Sequence, residues 1–295
     1  MQFTNKENLP QVIYDSIVND SYDIKELKQE VISTTQLINP PIIRQLLLRH
    51  ASELQEDISE NIWRLLGQAV HSVLERAVSK DRLVEERLFL DIDGIRLTGK
   101  FDIYEEDKVL QDYKITSCYK LIYMDEMDKD WENQMNVNAY LLRRHNFDVE
   151  HLRIITILRD WSKTKAKQDS NYPQLPIQVI EIPLWTREEQ EKYIHDRILI
   201  HKGAELLKDE ELKSCSAKER WAEETTYAVY KHENKTASKV EKSLVDAQSW
   251  IANCSNKKDP YRIEVRKGED KKCRDYCQVA HHCHYWKKHY LKKGD

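Results

Sequence analysis

The sequence has no apolar run approaching the roughly 20 residues that cross a bilayer. Its strongest, Ile-Ile-Thr-Ile-Leu at 154–158, is the length of a strand, so no membrane partner is expected. The first ten residues, MQFTNKENLP, lack the charged and apolar regions of a secretory leader, which makes the cytoplasm the expected compartment. Cysteines there are reduced, metal-bound or catalytic rather than disulfide-paired. Nor is there an excess of positive charge: 47 basic residues stand against 51 acidic ones, for a net charge of −4. Bulk charge therefore announces no nucleic-acid partner, and such a partner would have to meet a local basic face. Internal repeats and low-complexity tracts are missing as well. What remains is a chain of 295 residues, 40% hydrophobic and 33% charged, which is globular and long enough for one large domain or two modest ones.

Residues 1–34 read as a polar arm containing Pro10, and Asn-Pro-Pro at 39–41 stops regular structure. From Ile42 the apolar spacing turns helical through IIRQLLLRHASELQ. A second helix is expected in SENIWRLLGQAVHSVLERAV, starting near Ser59 or Glu60, with Ile62, Leu66, Val70, Val73, Leu74 and Ala77 as its apolar stripe. The period then changes to two. In LVEERLFLDIDGIRLTGKFDIYEEDKVLQDYKI, Asp93-Gly94 is a hairpin signal between alternating runs. Residues 151–158 and 177–184 read as further strands, separated by the polar loop RDWSKTKAKQDSNYPQLP. Helices are expected around DWENQMNVNAYLLRRH and from Thr186 to about Leu207. The composition shifts after 208, where 209–295 reads as a small cysteine-bearing appendix with a helix around 243–252.

Side chains alternate across a strand, so parity assigns faces. Ile95, Leu97, Phe101, Ile103, Val109, Tyr113 and Ile115 occupy odd positions, whereas Asp102, Asp112 and Lys114 are even. With the apolar residues inward and the strands antiparallel, Asp102 and Asp112 become close neighbours on the opposite face, which costs stability unless a positive charge sits between them. A divalent cation answers this economically: Mg²⁺ takes one or two carboxylates and meets substrate phosphates, and a nearby lysine offsets developing charge. Acid-x-Lys alone is a weak signal, since Glu106-x-Lys108 and Glu211-x-Lys213 also match. The preceding helix adds Gly67, His71 and Glu75 at i, i+4 and i+8, one stripe. If Asp93-Gly94 is a two-residue turn, Glu85 faces Asp102 as a possible supporting ligand or a solvated edge charge, and Glu86 falls on the apolar side.

Gly-x3-His-x3-Glu on a helix, then Gly-Lys-Phe-Asp-Ile, then Asp-Tyr-Lys, resembles the RecB-type branch of the PD-(D/E)XK nucleases. The resemblance implies an α/β restriction-endonuclease-like core, a mixed central sheet flanked by helices, over 35–208. It implies His71, Asp102 and Asp112 as ligands of Mg²⁺ or Mn²⁺ and Lys114 as the residue assisting hydrolysis of a DNA phosphodiester. The family's Gln-x3-Tyr motif is kept at Gln134, but Asn138 stands where the tyrosine would be, with Tyr140 two residues later. NPPIIRQLLLRH, IWRLLGQAVHSVLE and the terminal cysteine pattern are similar to nucleases encoded by tailed phages and prophages. An exonuclease serving phage recombination or DNA processing is implied, inside a bacterial host, acting on DNA ends with a single-strand annealing protein as a candidate partner. A DNA-binding partner protein with a vestigial nuclease site is the alternative.

Of six cysteines, Cys273, Cys277 and Cys283 form C-x3-C-x5-C, a spacing that suits a metal or cluster and wants a fourth ligand. The phage resemblance implies Cys215 as that ligand; Cys254 competes, and Cys118 reads as a core thiol. Some RecB-type nucleases hold a C-terminal segment with a [4Fe-4S] cluster, but there the first cysteine precedes the nuclease motifs, and none precedes Cys118 here. Zinc is the alternative, with His281, His282 or His284 as further ligands. From Lys257 to Asp295, twelve Lys or Arg stand against six Asp or Glu, a local basic stretch or a solvated tail. Trp161 and Tyr172 with Lys163, Lys165 and Lys167 suit base stacking and phosphate contact on single-stranded DNA, or a solvated loop.

Overall fold

The computed structural model describes residues 2–19, 28–74, 76, 82–124, 126–254 and 260–291. The chain divides into two compact units, Met1–Lys208 and Asp209–Asp295, each described by itself. Among the described residues no helix is long and apolar enough to cross a membrane.

The first unit is mixed α/β. It runs β1 (Gln2–Thr4), α1 (Gln11–Val18), β2 (Val31–Ser33), α2 (Thr34–Ile38), α3 (Pro41–Arg49), β3 (Gln55–Asp57) and α4 (Ile62–Leu74). The strands β4 (Arg82–Val84), β5 (Arg87–Ile92), β6 (Ile95–Lys100), β7 (Ile103–Glu105) and β8 (Val109–Thr116) follow. Then come α5 (Cys118–Ile122), α6 (Lys129–Arg144), β9 (His151–Leu158), α7 (Lys163–Gln168), β10 (Ile177–Ile182) and α8 (Arg187–Glu205). One sheet has the order β10-β9-β8-β7-β4, a second β2-β6-β5, and β1 pairs with β3.

The hairpin turns at Asp93-Gly94, where φ is +50° and +75°, the left-handed pair that such a turn requires. Its register runs from Ile92↔Ile95 to Arg87↔Lys100. It survives a break, because Glu85 N–H donates to the Asp102 carbonyl at 2.8 Å and Val84 pairs with Ile103. One hairpin thus serves two sheets, and Glu85, with φ +56°, and Asp102 sit where it crosses between them. Strand β8 pairs antiparallel with β7 and parallel with β9, so it lies inside the five-stranded sheet.

Helix α6 starts at Asp128, whose carboxylate accepts from the N–H groups of Asp130 and Trp131, and carries Arg143 and Arg144 at its negative end. It is buried on two sides. Met135, Ala139 and Leu142 pack with Phe101, Leu110, Leu152 and Ile154; Val137, Tyr140 and Leu141 pack with Ile32, Leu37, Leu97, Ile194 and Ile198. Each buried Val, Leu, Ile, Met or Phe among them contributes on the order of 1.5–3 kcal/mol by leaving water. Helix α8 opens with the Thr186–Glu189 capping box.

Several sequence expectations change. Residues 1–34 are not a detached arm: β1 and β2 pair with β3 and β6, and Ile32 is fully buried. The Arg44 guanidinium is buried, and its Nη2 donates to the carbonyls of Lys28, Gln29 and Val31, tying that segment to α3. The helix from Ile42 ends at Arg49, short of the expected Gln55, which is in β3. Asp57, not Ser59 or Glu60, caps the turn leading into α4. The apolar stripe of α4 is not core: it buries none of its described residues, and Trp63, Leu66 and Val73 are exposed. Ala77 lies outside the described residues. Glu86 is exposed, because the break at Glu85 interrupts the alternation. The long polar loop after β9 contains α7.

The second unit contains β11 (Thr226–Lys231), β12 (Lys239–Glu241), α9 (Leu244–Asn253), β13 (Tyr261–Arg266) and α10 (His284–His289), with strand order β12-β11-β13.

Candidate active site

The crossing hairpin and β8 bring together the acids that parity placed on one face. That face is covered rather than open to solvent: Asp102 and Asp112 are both buried. His71, from α4, lies with Nδ1 3.0 Å from Glu85 Oε1 and 3.3 Å from Asp102 Oδ1. One ligand atom from each of these three residues falls within 4.8 Å of the other two. The second Asp102 oxygen accepts from the Tyr113 N–H at 2.6 Å, which fixes the carboxylate against β8. Hydrogen bonds from the imidazole to Asp102 and Glu85 raise the His71 pKa to about 10, against the opposing effect of burial.

The neighbouring residues form a second group. Lys114 Nζ is 2.6 Å from Asp112 Oδ2 and donates to Gln134 Oε1 at 3.1 Å, while Gln134 Nε2 donates to Asp112 Oδ1 at 3.0 Å. Gln134 therefore holds both the acid and the base from α6. The ammonium sits off the hydrogen-bonding direction of Asp112 Oδ2, so that buried oxygen is paired in charge yet has no hydrogen bond. Burial pushes the Asp112 carboxyl up to about 6, and Asp102 adds to this while Lys114 opposes it. Burial also weighs against the Lys114 charge, but the Asp112 carboxylate outweighs it and leaves the ammonium pKa raised.

These observations suit a divalent cation. Two carboxylates, Glu85 and Asp102, converge on one imidazole, and the buried Asp112 carboxylate lies near enough for its charge to act on both Asp102 and His71. His71, Glu85, Asp102 and Asp112 are the residues that would hold it. Glu85, which the sequence left between ligand and edge charge, belongs to the group: its side chain is only 10% exposed, and its other oxygen is 2.5 Å from Lys100 Nζ. Lys100 was missed, although it occupies the same strand parity as Asp102 in Gly-Lys-Phe-Asp. Glu75 lies outside the described residues.

Asn138 does not reach this chemistry. Its Oδ1 accepts from Thr34 Oγ1 at 2.9 Å and its Nδ2 donates to the Lys100 carbonyl at 3.3 Å, clasping β6 onto α6. Gly99 allows that approach, since a Cβ there would lie 2.5 Å from Asn138 Oδ1. Tyr140 is buried, and its hydroxyl accepts from Arg144 Nη1 at 3.0 Å.

The loop after β9 departs from the stacking expectation. Tyr172 is buried against Cys118, and Trp161 packs beside it with its indole N–H donating to the Pro173 carbonyl at 2.7 Å. Both aromatics hold the loop together. Lys163, Lys165 and Lys167 are exposed on α7. Cys118 is the core thiol expected, with Sγ 3.1 Å from the Tyr172 hydroxyl.

In the second unit, Cys215, Cys273, Cys277 and Cys283 lie near enough for their charges to act on one another. Burial first, then Glu219 and the other thiols, pushes Cys215 up to about 12; burial and its neighbours push Cys273 to about 11. The four thiols are half-buried, and burial is the main cause that holds Cys215, Cys273 and Cys277 toward the neutral form. No three of these sulfurs lie within 4.8 Å of one another as they stand, so a metal centre here would draw them together and hold them as thiolates. Arg220 braces this group by bonding the Cys215 carbonyl and pairing with Asp270 at 3.0 Å. His284 is not available as a ligand: its Nδ1 meets the Asp209 carbonyl at 3.1 Å and its Nε2 the Ser214 hydroxyl at 3.0 Å. Two residues of the basic stretch are ion-paired, Lys271 with Glu223 and Arg274 with Glu269 and Asp275.

No protein-family model matches the chain, and no curated protein matches it in sequence. Among solved structures it is similar to SSO0001, with a TM-score of 0.45 and 13% identity over 65% of this chain and 85% of that one. A phage-related exonuclease from Haemophilus somnus 129PT gives a TM-score of 0.30 and 19% identity, over 48% of this chain and 66% of that one. Both likenesses are distant.

Proposed function

We propose that the first unit is a PD-(D/E)XK-type core that hydrolyses DNA phosphodiester bonds with Mg²⁺ or Mn²⁺. The observation that carries the reading is the meeting of His71, Glu85 and Asp102 with the Asp112–Lys114–Gln134 group where one hairpin crosses between two sheets. A bound divalent cation would supply a hydroxide nucleophile and stabilise charge developing on a phosphoryl oxygen. The protein's own part is positional. Tyr113 N–H orients Asp102, Gln134 orients Asp112 and Lys114 together, and the Lys114 ammonium offers a fixed positive charge to the transition state. Lys100 neutralises Glu85, which lowers the cost of gathering three acids in a buried place.

Exonuclease action in phage recombination or DNA processing, with a single-strand annealing protein as partner in a bacterial cytoplasm, is the finer form of this reading; the resemblance of the motifs supports it. Cys215, Cys273, Cys277 and Cys283 are read as ligands of one structural centre, a [4Fe-4S] cluster with zinc as the alternative that elemental analysis separates. End-labelled linear, circular, single- and double-stranded DNA, incubated with Mg²⁺, Mn²⁺, Ca²⁺ or EDTA, tests the proposal. Products with Mg²⁺ or Mn²⁺, and none with EDTA, are expected; cleavage that persists in EDTA would refute it. A requirement for free ends identifies an exonuclease.

A further inference from the structure

The strand end beyond Lys114 carries aromatic surface that neither the core nor the catalytic group uses. Trp63 on α4 is 60% exposed, and the Arg159 guanidinium lies 4.3 Å from its ring centre. Arg159 is anchored there because its N–H donates to the Thr116 carbonyl at 3.0 Å, two residues past Lys114. Tyr119 and Tyr123 follow on and just after α5, 67% and 63% exposed, with ring centroids 4.3 Å apart and planes tilted by 40°. At about 3.3 Å per strand residue, both groups start on the order of 10 Å from the Lys114 backbone. The exposed lysines of α7 follow Arg159 on the same chain segment.

Single exposed aromatics are ordinary, but three at one strand end, one of them held by an arginine, are not explained by packing. We propose that Trp63 with Arg159, and the Tyr119–Tyr123 pair, form a stacking platform for the unpaired bases of a single-stranded DNA segment entering the site. This rests on the nuclease reading and adds to it the strand state of the substrate. The occupant is a nucleic acid rather than a protein segment because cations accompany the rings: Arg159 on Trp63, and Lys163, Lys165 and Lys167 beyond. Base stacking on such rings tolerates any sequence, since every base has a π-face. Bases paired within a duplex are not free to use it.

The test measures binding, in EDTA, of the full chain to labelled oligothymidylate and to a fully abasic oligonucleotide of equal length. Both carry the same phosphates, so the difference reports the bases. The wild type should bind oligothymidylate about tenfold or more tighter. Trp63→Ala, and Tyr119→Ala with Tyr123→Ala, should each weaken oligothymidylate by about fivefold or more while leaving the abasic strand unchanged, and Trp63→Phe should retain most of the difference. Equal wild-type affinity for the two strands would overturn the proposal, as would alanine variants that lose both equally. Self-association of the wild type that Trp63→Ala abolishes would overturn it too, by showing that a second copy covers the surface. A failure of the nuclease reading shows separately, as uncut DNA in Mn²⁺ whatever the binding ratio.

Discussion

Gly99→Ala should both destabilise the first unit and disturb its acids, although residue 99 touches no ligand. The added Cβ would lie 2.5 Å from Asn138 Oδ1, 2.5 Å from Leu141 Cδ1 and 2.8 Å from Thr34 Oγ1. All three neighbours are buried, so none can swing into solvent. Overpacking of this kind costs about 1–3 kcal/mol. Displacing Asn138 also breaks its hydrogen bond with Thr34, adding about 1 kcal/mol. Thermal unfolding should fall by roughly 5–15 °C, given about 2–4 °C per kcal/mol for a unit of this size. Because Asn138 also bonds the Lys100 carbonyl, the shift propagates to Lys100 and Asp102, and cleavage should fall with stability. Pairing the change with Asn138→Ala removes one of the clashing atoms, so the double variant should lose less than the sum of the singles. Circular dichroism melts of the four proteins read this directly. A Gly99→Ala variant melting within a degree of wild type would refute the close approach of β6 to α6.

Three further outcomes are expected. His201 is fully buried, and burial with the charges of Arg197 and Arg44 lowers its pKa to about 4 against the Leu37 carbonyl's pull. The unfolded imidazole, at about 6.5, binds a proton first as pH falls, so stability should drop between about pH 6.5 and 4 by roughly 3 kcal/mol. Urea midpoints of wild type and His201→Gln across that range isolate the effect, and parallel curves would contradict it. Cys215→Ala, Cys273→Ala, Cys277→Ala and Cys283→Ala should each lose the bound iron or zinc on elemental analysis, whereas Cys118→Ala and Cys254→Ala should keep it; metal retained in Cys215→Ala would move the fourth ligand elsewhere. Glu85→Gln should weaken divalent-ion binding by calorimetry, whereas Lys100→Met, which removes the cation that competes for the Glu85 carboxylate, should not; the reverse order would remove Glu85 from the ligand group.

The hairpin was legible because Asp93-Gly94 fixes both turn and register, and register alone put Glu85 opposite Asp102. Parity put Asp102, Asp112 and Lys114 on one face because the alternation holds along β8 and the hairpin register carries across the break, even though that break moved Glu86. Burial was not legible: whether a helix covers that face depends on where α4 and α6 pack, which no local pattern states. The same gap explains α4. Its apolar stripe has helical spacing, yet spacing cannot say whether a neighbour arrives to cover Leu66 and Val73. Trp161 and Tyr172 erred the other way, since a polar loop with its own small core looks like an open one. Asn138 was read as a departure from a motif, and its clasp on Lys100 required the distant Thr34 and Gly99 to be seen together.

Single-turnover cleavage of end-labelled DNA in Mn²⁺ by wild type, Asp112→Asn and Lys114→Ala tests the catalytic assignment most directly. Removing a charge aimed at the transition state costs on the order of 100- to 1000-fold in rate. Both variants should fall at least that far while their melts and DNA binding stay close to wild type. Near-wild-type cleavage by either variant would contradict the assignment of this carboxylate and lysine to the reaction.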